Sequence, residues 1–291
     1  MPIPVNPALR PTFRDALAGA SRPLAGMWVC SASPLVAEVC AGGGLDWLLV
    51  DMEHGPNGLG SVVAQLQAVA AYPVTPVVRV PANDAVTIKQ VLDLGAQNLL
   101  VPMVSSAAEA RAAVEAVRYP PRGRRGVGSA LARSARWNRV DDYLIEADRY
   151  VSLFVQVETT AGVEAAAEIA AVDGVDGVFV GPSDLAASMG VLGQQTHPDV
   201  VAAVLRAFDA VRGAGVPVGV NAFDPAVAAS YLDAGASFVL VGADVALLAR
   251  GSEALAARFT TDSSGTGHPG TGHPGTGHPG TGHPGTVRAG Y

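Results

Sequence analysis

Short apolar runs alternate along the chain with longer amphipathic, alanine-rich stretches, a rhythm that predicts βα units feeding a parallel sheet. Eight runs read as strands: 26–30, 47–51, 77–80, 98–101, 153–158, 177–180, 216–220 and 238–241. Helical periodicity fills the spaces between them, at 62–71, 84–94, 107–117, 163–171, 200–214, 226–234 and 245–258. Gly95, Gly215 and Gly235 stand where helices should end, as C-caps. Eight units within about 240 residues have the size of a (β/α)8 barrel. A doubly wound open sheet is the rival, but it carries a glycine-rich nucleotide loop after its first strand. Here Gly42-Gly43-Gly44 precedes a strand and reads as a turn.

Composition changes this picture in three places. Hydrophobic residues are 49% of the 291 and charged residues only 15%, so either an oligomer hides surface or a membrane does. The membrane option fails, because no apolar run approaches the roughly 20 residues of a spanning helix. Residues 1–22 are broken by Pro2, Pro4, Pro7 and Pro11 and hold no leader-like apolar stretch; the expectation is a cytoplasmic homo-oligomer. A net charge of −7 and a pI near 5.3 argue against a nucleic-acid partner, which needs a basic face. Cys30 and Cys40 form no metal or redox motif and read as reduced.

The second change is chemical. The chain has one lysine, Lys89, on a helical stretch where a solvated face is expected. Schiff-base catalysis needs an active-site lysine, so electrophilic work falls to a metal. The third is the tail beyond residue 259. There Thr-Gly-His-Pro-Gly repeats four times from Thr266, Thr271, Thr276 and Thr281, and such a sequence is expected to be disordered. The domain division is a barrel over 1–259 and a tail over 260–291. Loose transition-metal binding by His268, His273, His278 and His283 is the functional alternative to a passive repeat.

Barrel chemistry sits at the C-terminal ends of strands. Those ends carry Asp51-Met52-Glu53-His54, Arg79, Gln156-Val157-Glu158 and Gly181-Pro182-Ser183-Asp184. Glu158 and Asp184 close neighbouring strands and are the candidate metal ligands, with a donor set suited to Mg²⁺ or Mn²⁺ and tolerant of Co²⁺. Read singly, each acid is as well explained as a salt bridge or cap, Asp184 for a helix from Leu185. His54 is a candidate acid or base, while His197, before Pro198, reads as structural. Arg79 on an apolar strand must be paired or face a ligand; a guanidinium there can grip a carboxylate or steady an enolate.

Taken jointly, several stretches resemble the HpcH/HpaI class II, metal-dependent pyruvate aldolases, from about residue 26 to 259. They are Asp46-Trp47-Leu48-Leu49-Val50-Asp51, Glu53-His54, Pro76-Val77-Val78-Arg79, Leu100-Val101-Pro102-Met103-Val104, Arg118-Tyr119-Pro120-Pro121, the nine residues from Arg125 to Arg133, and Gly177 to Asp184. The type most similar is the 4-hydroxy-2-oxoheptanedioate aldolases of aromatic-acid degradation. The resemblance implies a (β/α)8 barrel of the phosphoenolpyruvate/pyruvate type cleaving a 4-hydroxy-2-oxo acid to pyruvate and an aldehyde such as succinate semialdehyde. It implies Glu158 and Asp184 as metal ligands, with Gln156 close by. The backbone of Gly181, Pro182, Ser183 and Asp184 would receive the pyruvate carboxylate. Arg79 would stabilise the enolate, and His54, supported by Asp93, would take the 4-hydroxyl proton. Asp51 would sit near the aldehyde, and Trp28 would line the pocket. It also implies a hexamer with swapped C-terminal helices, and places Arg122, Arg124 and Arg125 in a long loop over 119–138.

Two departures bear on the aldehyde: Met52 replaces an expected small residue, and Val218-Gly219-Val220-Asn221 departs from an apolar run. The alternatives are sister aldolases for 2-dehydro-3-deoxyglucarate or 2-keto-3-deoxy-rhamnonate, a lyase acting on a CoA thioester, and an inactive metal-binding scaffold.

Overall fold

Strand alternation decides the architecture. Eight strands pair in chain order, each parallel to the next, and the last returns to the first. They are β1 Leu24–Val29, β2 Trp47–Asp51, β3 Thr75–Arg79, β4 Asn98–Val101, β5 Ser152–Val157, β6 Gly177–Val180, β7 Val218–Asn221 and β8 Phe238–Ala243. The structure, a computed structural model, describes residues 9–260; the repeat tail and its four histidines lie outside the described residues. Closure through β1 and β8 rules out the open doubly wound sheet.

Successive strand side chains face opposite ways, and the two faces have different composition. The outward set includes Val50, Val78, Leu99, Leu153, Val155, Val178, Val220 and Val239, which share one buried cluster with helical residues such as Ile88, Leu92, Val204 and Phe208. β-branched residues suit a pleated surface covered by helices.

The inward set is graded along the barrel axis. At the N-terminal ends stand Trp47, Phe154 and Phe238, all buried. Phe13, from the helix Phe13–Gly19, seats its ring 4.9, 5.0 and 5.4 Å from theirs. Three large rings fit because glycine faces them: a Cβ on Gly26 would lie 2.5 Å from the Trp47 ring, on Gly177 2.4 Å from Phe154, and on Gly219 2.2 Å from Phe238. Asn98 fastens this floor, its Oδ1 accepting from Phe13 N–H at 2.7 Å and Ser152 Oγ–H at 2.8 Å while Nδ2 donates to Pro76 O. A capping box between Thr12 and Asp15 starts the helix.

Helix ends follow the expected chemistry. Gly95, Gly215 and Gly235 adopt φ of 92°, 80° and 100°, the left-handed turn glycine allows. His197 caps the helix Pro198–Gly213, its Nδ1 accepting from Asp199 N–H at 3.2 Å, which is the structural role expected of it. The stretch expected as one helix over 163–171 is two, Thr160–Glu164 and Ala166–Ala170. Asp184 is not a cap: its helix is Pro182–Ser188, with Gly181 at the cap and Asp184 in the first turn.

The barrel unit runs to Val245, and a second unit begins at Ala246 within the helix Asp244–Phe259. Leu247, Leu248, Leu255 and Phe259 of that helix are exposed. No described helix is long and apolar enough to cross a membrane.

Candidate active site

At the C-terminal ends of the strands the inward positions turn polar. β2 ends in Asp51, β3 in Arg79 and β7 in Asn221, while β5 presents Gln156 and leads into Glu158. Asp51 and Arg79 lie opposite in register, and the side chains form a two-point pair: Arg79 Nε to Asp51 Oδ1 and Nη2 to Oδ2, both 2.8 Å. Arg79 Nη1 lies 2.8 Å from Glu53 Oε2. Burial alone would lower the Arg79 pKa, but the hydrogen bond and charge of Asp51, then Glu53 and Glu158, raise it above its ordinary value. Asp51 also accepts the backbone N–H groups of Glu53 at 3.0 Å and His54 at 3.3 Å. Both of its oxygens are thus engaged in holding Arg79 and the turn that carries His54.

Trp28, at the end of β1, lies beneath this pair. The Arg79 guanidinium carbon is 4.2 Å from the indole ring centre, a cation–π distance. The indole N–H donates to Asn221 Oδ1 at 2.8 Å.

Glu158 is buried. Its Oε1 accepts from Met103 N–H at 2.8 Å and its Oε2 from Gln156 Nε2–H at 2.5 Å. Met103 adopts φ of 57°, a left-handed conformation costing a side-chain residue about 1 kcal/mol or more; the turn aims its N–H at the carboxylate. Burial pushes the Glu158 carboxyl up to about 7; Met103 N–H and Arg79 oppose this, while Asp184 and Glu53 add to it. Glu53 is likewise raised, first by burial, with Asp51 and Asp184 adding to it against Arg79 and His54.

Fit to a divalent cation rests on these donors. Glu158 is a buried carboxylate within the electrostatic reach of a second, Asp184, and Gln156 Oε1 is a buried oxygen with no hydrogen-bond partner among the described residues. Asp184 is exposed at the mouth. Among the described residues no cluster of three or more His, Cys, Asp and Glu could hold a metal; a cation held by two carboxylates would take its remaining oxygen donors from ligand or water.

Gly181 N–H already donates to Val157 O and Pro182 has none, which leaves the amides of Ser183 and Asp184 as donors for an anion in that turn. Ser183 Oγ donates to Gln195 Oε1 at 2.8 Å. His54 is exposed, and Asp93 is paired with Arg125 at 3.3 Å; no His54–Asp93 hydrogen bond occurs among the described residues. Arg125 is buried and stacked on Tyr119, 4.6 Å from the ring centre, while Arg118 and Arg122 pair with Asp173 and Asp148. The arginine cluster is therefore internal bracing of the loop.

Sequence reasoning missed Glu53 as a partner of Arg79, Met103 as a donor to Glu158, and Asp244. Buried Asp244 accepts the N–H groups of Cys30 and Ser31 at 2.8 and 3.0 Å and fixes the turn after β1. Cys30 borders Asp51, but burial, then Asp51 and Asp244, push its thiol up to about 12. It stays protonated, which removes it as a nucleophile.

Comparison with known proteins gives a consistent answer. The family model for HpcH/HpaI aldolase/citrate lyase matches residues 24–251. A hydroxypyruvate/pyruvate aldolase from Deinococcus radiodurans is 54% identical over 268 residues, 92% of this chain and 96% of that one. A 4-hydroxy-2-oxo-heptane-1,7-dioate aldolase from Salmonella dublin is 52% identical over 259 residues, 89% and 98% of the two chains. The crystal structure of an HpcH/HpaI aldolase/citrate lyase family protein from Burkholderia cenocepacia J2315 superposes with a TM-score of 0.82 at 41% identity, covering 87% of this chain and all of that one. The pyruvate-aldolase resemblance read from the strand ends is thus the right one: the chain is a carbon–carbon lyase belonging to the HpcH/HpaI aldolase/citrate lyase family.

Proposed function

We propose that the protein is a divalent-metal-dependent aldolase that cleaves 4-hydroxy-2-oxoheptanedioate, or a related 4-hydroxy-2-oxo acid, to pyruvate and an aldehyde such as succinate semialdehyde. The observation that carries this reading is the joint presence, at one barrel mouth, of a buried carboxylate held by Met103 N–H and Gln156 and a buried arginine fixed by two carboxylates.

Glu158 and Asp184 hold the cation, Mg²⁺, Mn²⁺ or Co²⁺, with Gln156 beside it. Bound there, the ion would supply Lewis-acid withdrawal of charge from the carbonyl of the 2-oxo acid. Arg79 supplies the fixed positive charge that the enolate oxygen needs, already oriented by Asp51 and therefore without reorganisation during the reaction. The amides of Ser183 and Asp184 receive the substrate carboxylate, and Gly181 and Pro182 shape that turn. His54 removes the proton from the 4-hydroxyl as the C3–C4 bond breaks, and the electron pair of that bond becomes the enolate. Asp51 acts chiefly through Arg79 and the His54 turn, and Trp28 forms the pocket wall. Asp93 belongs to the same machinery at one remove. One lysine in the chain, Lys89, fits a mechanism without a Schiff base.

A cytoplasmic homo-hexamer exchanging C-terminal helices, working in aromatic-acid catabolism, completes the proposal; the 15% share of charged residues and the exposed leucines of the last helix support the assembly. The Deinococcus relative's name supports a second reading, with hydroxypyruvate in place of pyruvate.

The test is pyruvate release from racemic 4-hydroxy-2-oxoheptanedioate by EDTA-stripped protein, with and without added Mg²⁺, Mn²⁺ or Co²⁺. Pyruvate only with metal supports the proposal. No pyruvate with any metal rejects the heptanedioate, and a panel of 3-deoxy-sugar acids, then hydroxypyruvate with simple aldehydes, separates the sister activities from an inactive barrel.

A further inference from the structure

We infer that Asn221 is a positioning residue for the enolate-stabilising arginine, acting through the indole of Trp28 and not through contact with the aldehyde. The inference rests on the role proposed above for Arg79. Three observations join the residues. Asn221 Oδ1 accepts the Trp28 indole N–H at 2.8 Å. The face of that indole lies 4.2 Å from the Arg79 guanidinium carbon. Phe179 meets the same ring edge-on, with centres 6.3 Å apart at 81°.

Each contact removes one freedom. An indole ring can rotate about two side-chain bonds, and its only hydrogen-bond donor is Nε1–H. Phe179 supports the ring, and Asn221 is the partner that fixes its rotation. Asp51 holds the guanidinium at one edge and Glu53 holds it at Nη1, in-plane contacts that resist tilt of the plane only weakly. The Trp28 face removes that tilt. An apolar side chain at position 221 would leave the indole N–H without its acceptor, and the ring would turn to find another.

The first test is spectroscopic and independent of activity. The chain has three tryptophans, so the emission of Trp28 is the difference between the wild-type protein and Trp28→Phe. In Asn221→Leu that component should shift and change intensity; an unchanged Trp28 component would overturn the inference. The second test uses pyruvate alone with Mg²⁺, following exchange of its methyl protons for deuterium by NMR. Asn221→Leu should slow exchange at saturating pyruvate about tenfold with little change in KM. Trp28→Phe, which keeps a ring and loses the donor, should slow it similarly, and the double variant should be no slower than the worse single one. Normal exchange in Asn221→Leu, with cleavage altered only for particular aldehydes, would make Asn221 a specificity residue and sink the idea. If wild-type protein exchanges no methyl protons, the aldolase reading fails instead, and the emission result alone decides whether Asn221 holds Trp28.

Discussion

The two ends of this barrel are built from the same strands by opposite rules. At the floor, Trp47, Phe154, Phe238 and Phe13 fill the axis with rings, and glycines at 26, 177 and 219 make room for them. At the mouth the same strands present Asp51, Arg79, Gln156 and Asn221 and lead into Glu158. Burial is similar at both ends: Phe13 is 1% exposed and Glu158 2%. What differs is whether burial stabilises or costs. Apolar area gains about 25 cal/mol per Å² on leaving water, whereas a buried carboxylate loses hydration that hydrogen bonds only partly return. The floor stores stability, and the mouth holds groups whose charges are poorly solvated and therefore strongly felt by a ligand.

Substitutions at the two ends should separate these roles. Glu158→Gln is expected to have the largest effect. Loss of a cation ligand removes several kcal/mol of charge stabilisation, roughly a 10³-fold fall in kcat/KM, while melting temperature holds or rises because a buried charge is gone. A large fall in melting temperature instead would place Glu158 among the structural groups. Phe13→Ala is the mirror case: truncating a buried ring costs about 3–5 kcal/mol of stability, measured by denaturant unfolding, with kcat/KM unchanged at temperatures where the variant is folded. Arg79→Lys comes next, since an ammonium cannot satisfy Asp51 at two points. A loss in kcat on the order of 10²-fold is expected, and steady-state rates equal to wild type would remove Arg79 from the mechanism. Gly219→Ala is the mildest, about 1–3 kcal/mol of destabilisation from overpacking against Phe238, with the Mg²⁺ dependence of activity intact.

The floor and the mouth were unequally legible in sequence. Every strand was, because a parallel barrel needs apolar runs at regular spacing; the errors are at edges, as at β7, which starts at Val218 and not at 216 because Pro217 has no N–H to give. The mouth residues were legible because a charge ending an apolar strand is unusual, which marked Arg79 and Glu158. The floor was not. Phe13 reads as an ordinary apolar residue in a proline-rich start, and Asn98 holds it across 85 positions of sequence. Nor was the partner of Asp93 legible: Arg125 reaches it across 32 positions from within a loop of irregular backbone. Local pattern reports what a residue is, and long-range pairing decides what it meets.

The ring-filled floor also sets the order of traffic through the molecule. A cavity plugged at one end has one doorway, so the fragment bound deeper cannot leave past the one above it. Glu158 and Gln156 are buried and His54 is exposed; with the roles proposed above, that would put pyruvate inside and the aldehyde outside. Cleavage should therefore release the aldehyde first and pyruvate last. In product-inhibition kinetics pyruvate would then compete with the substrate and the aldehyde would not; the reverse pattern would mean a second exit.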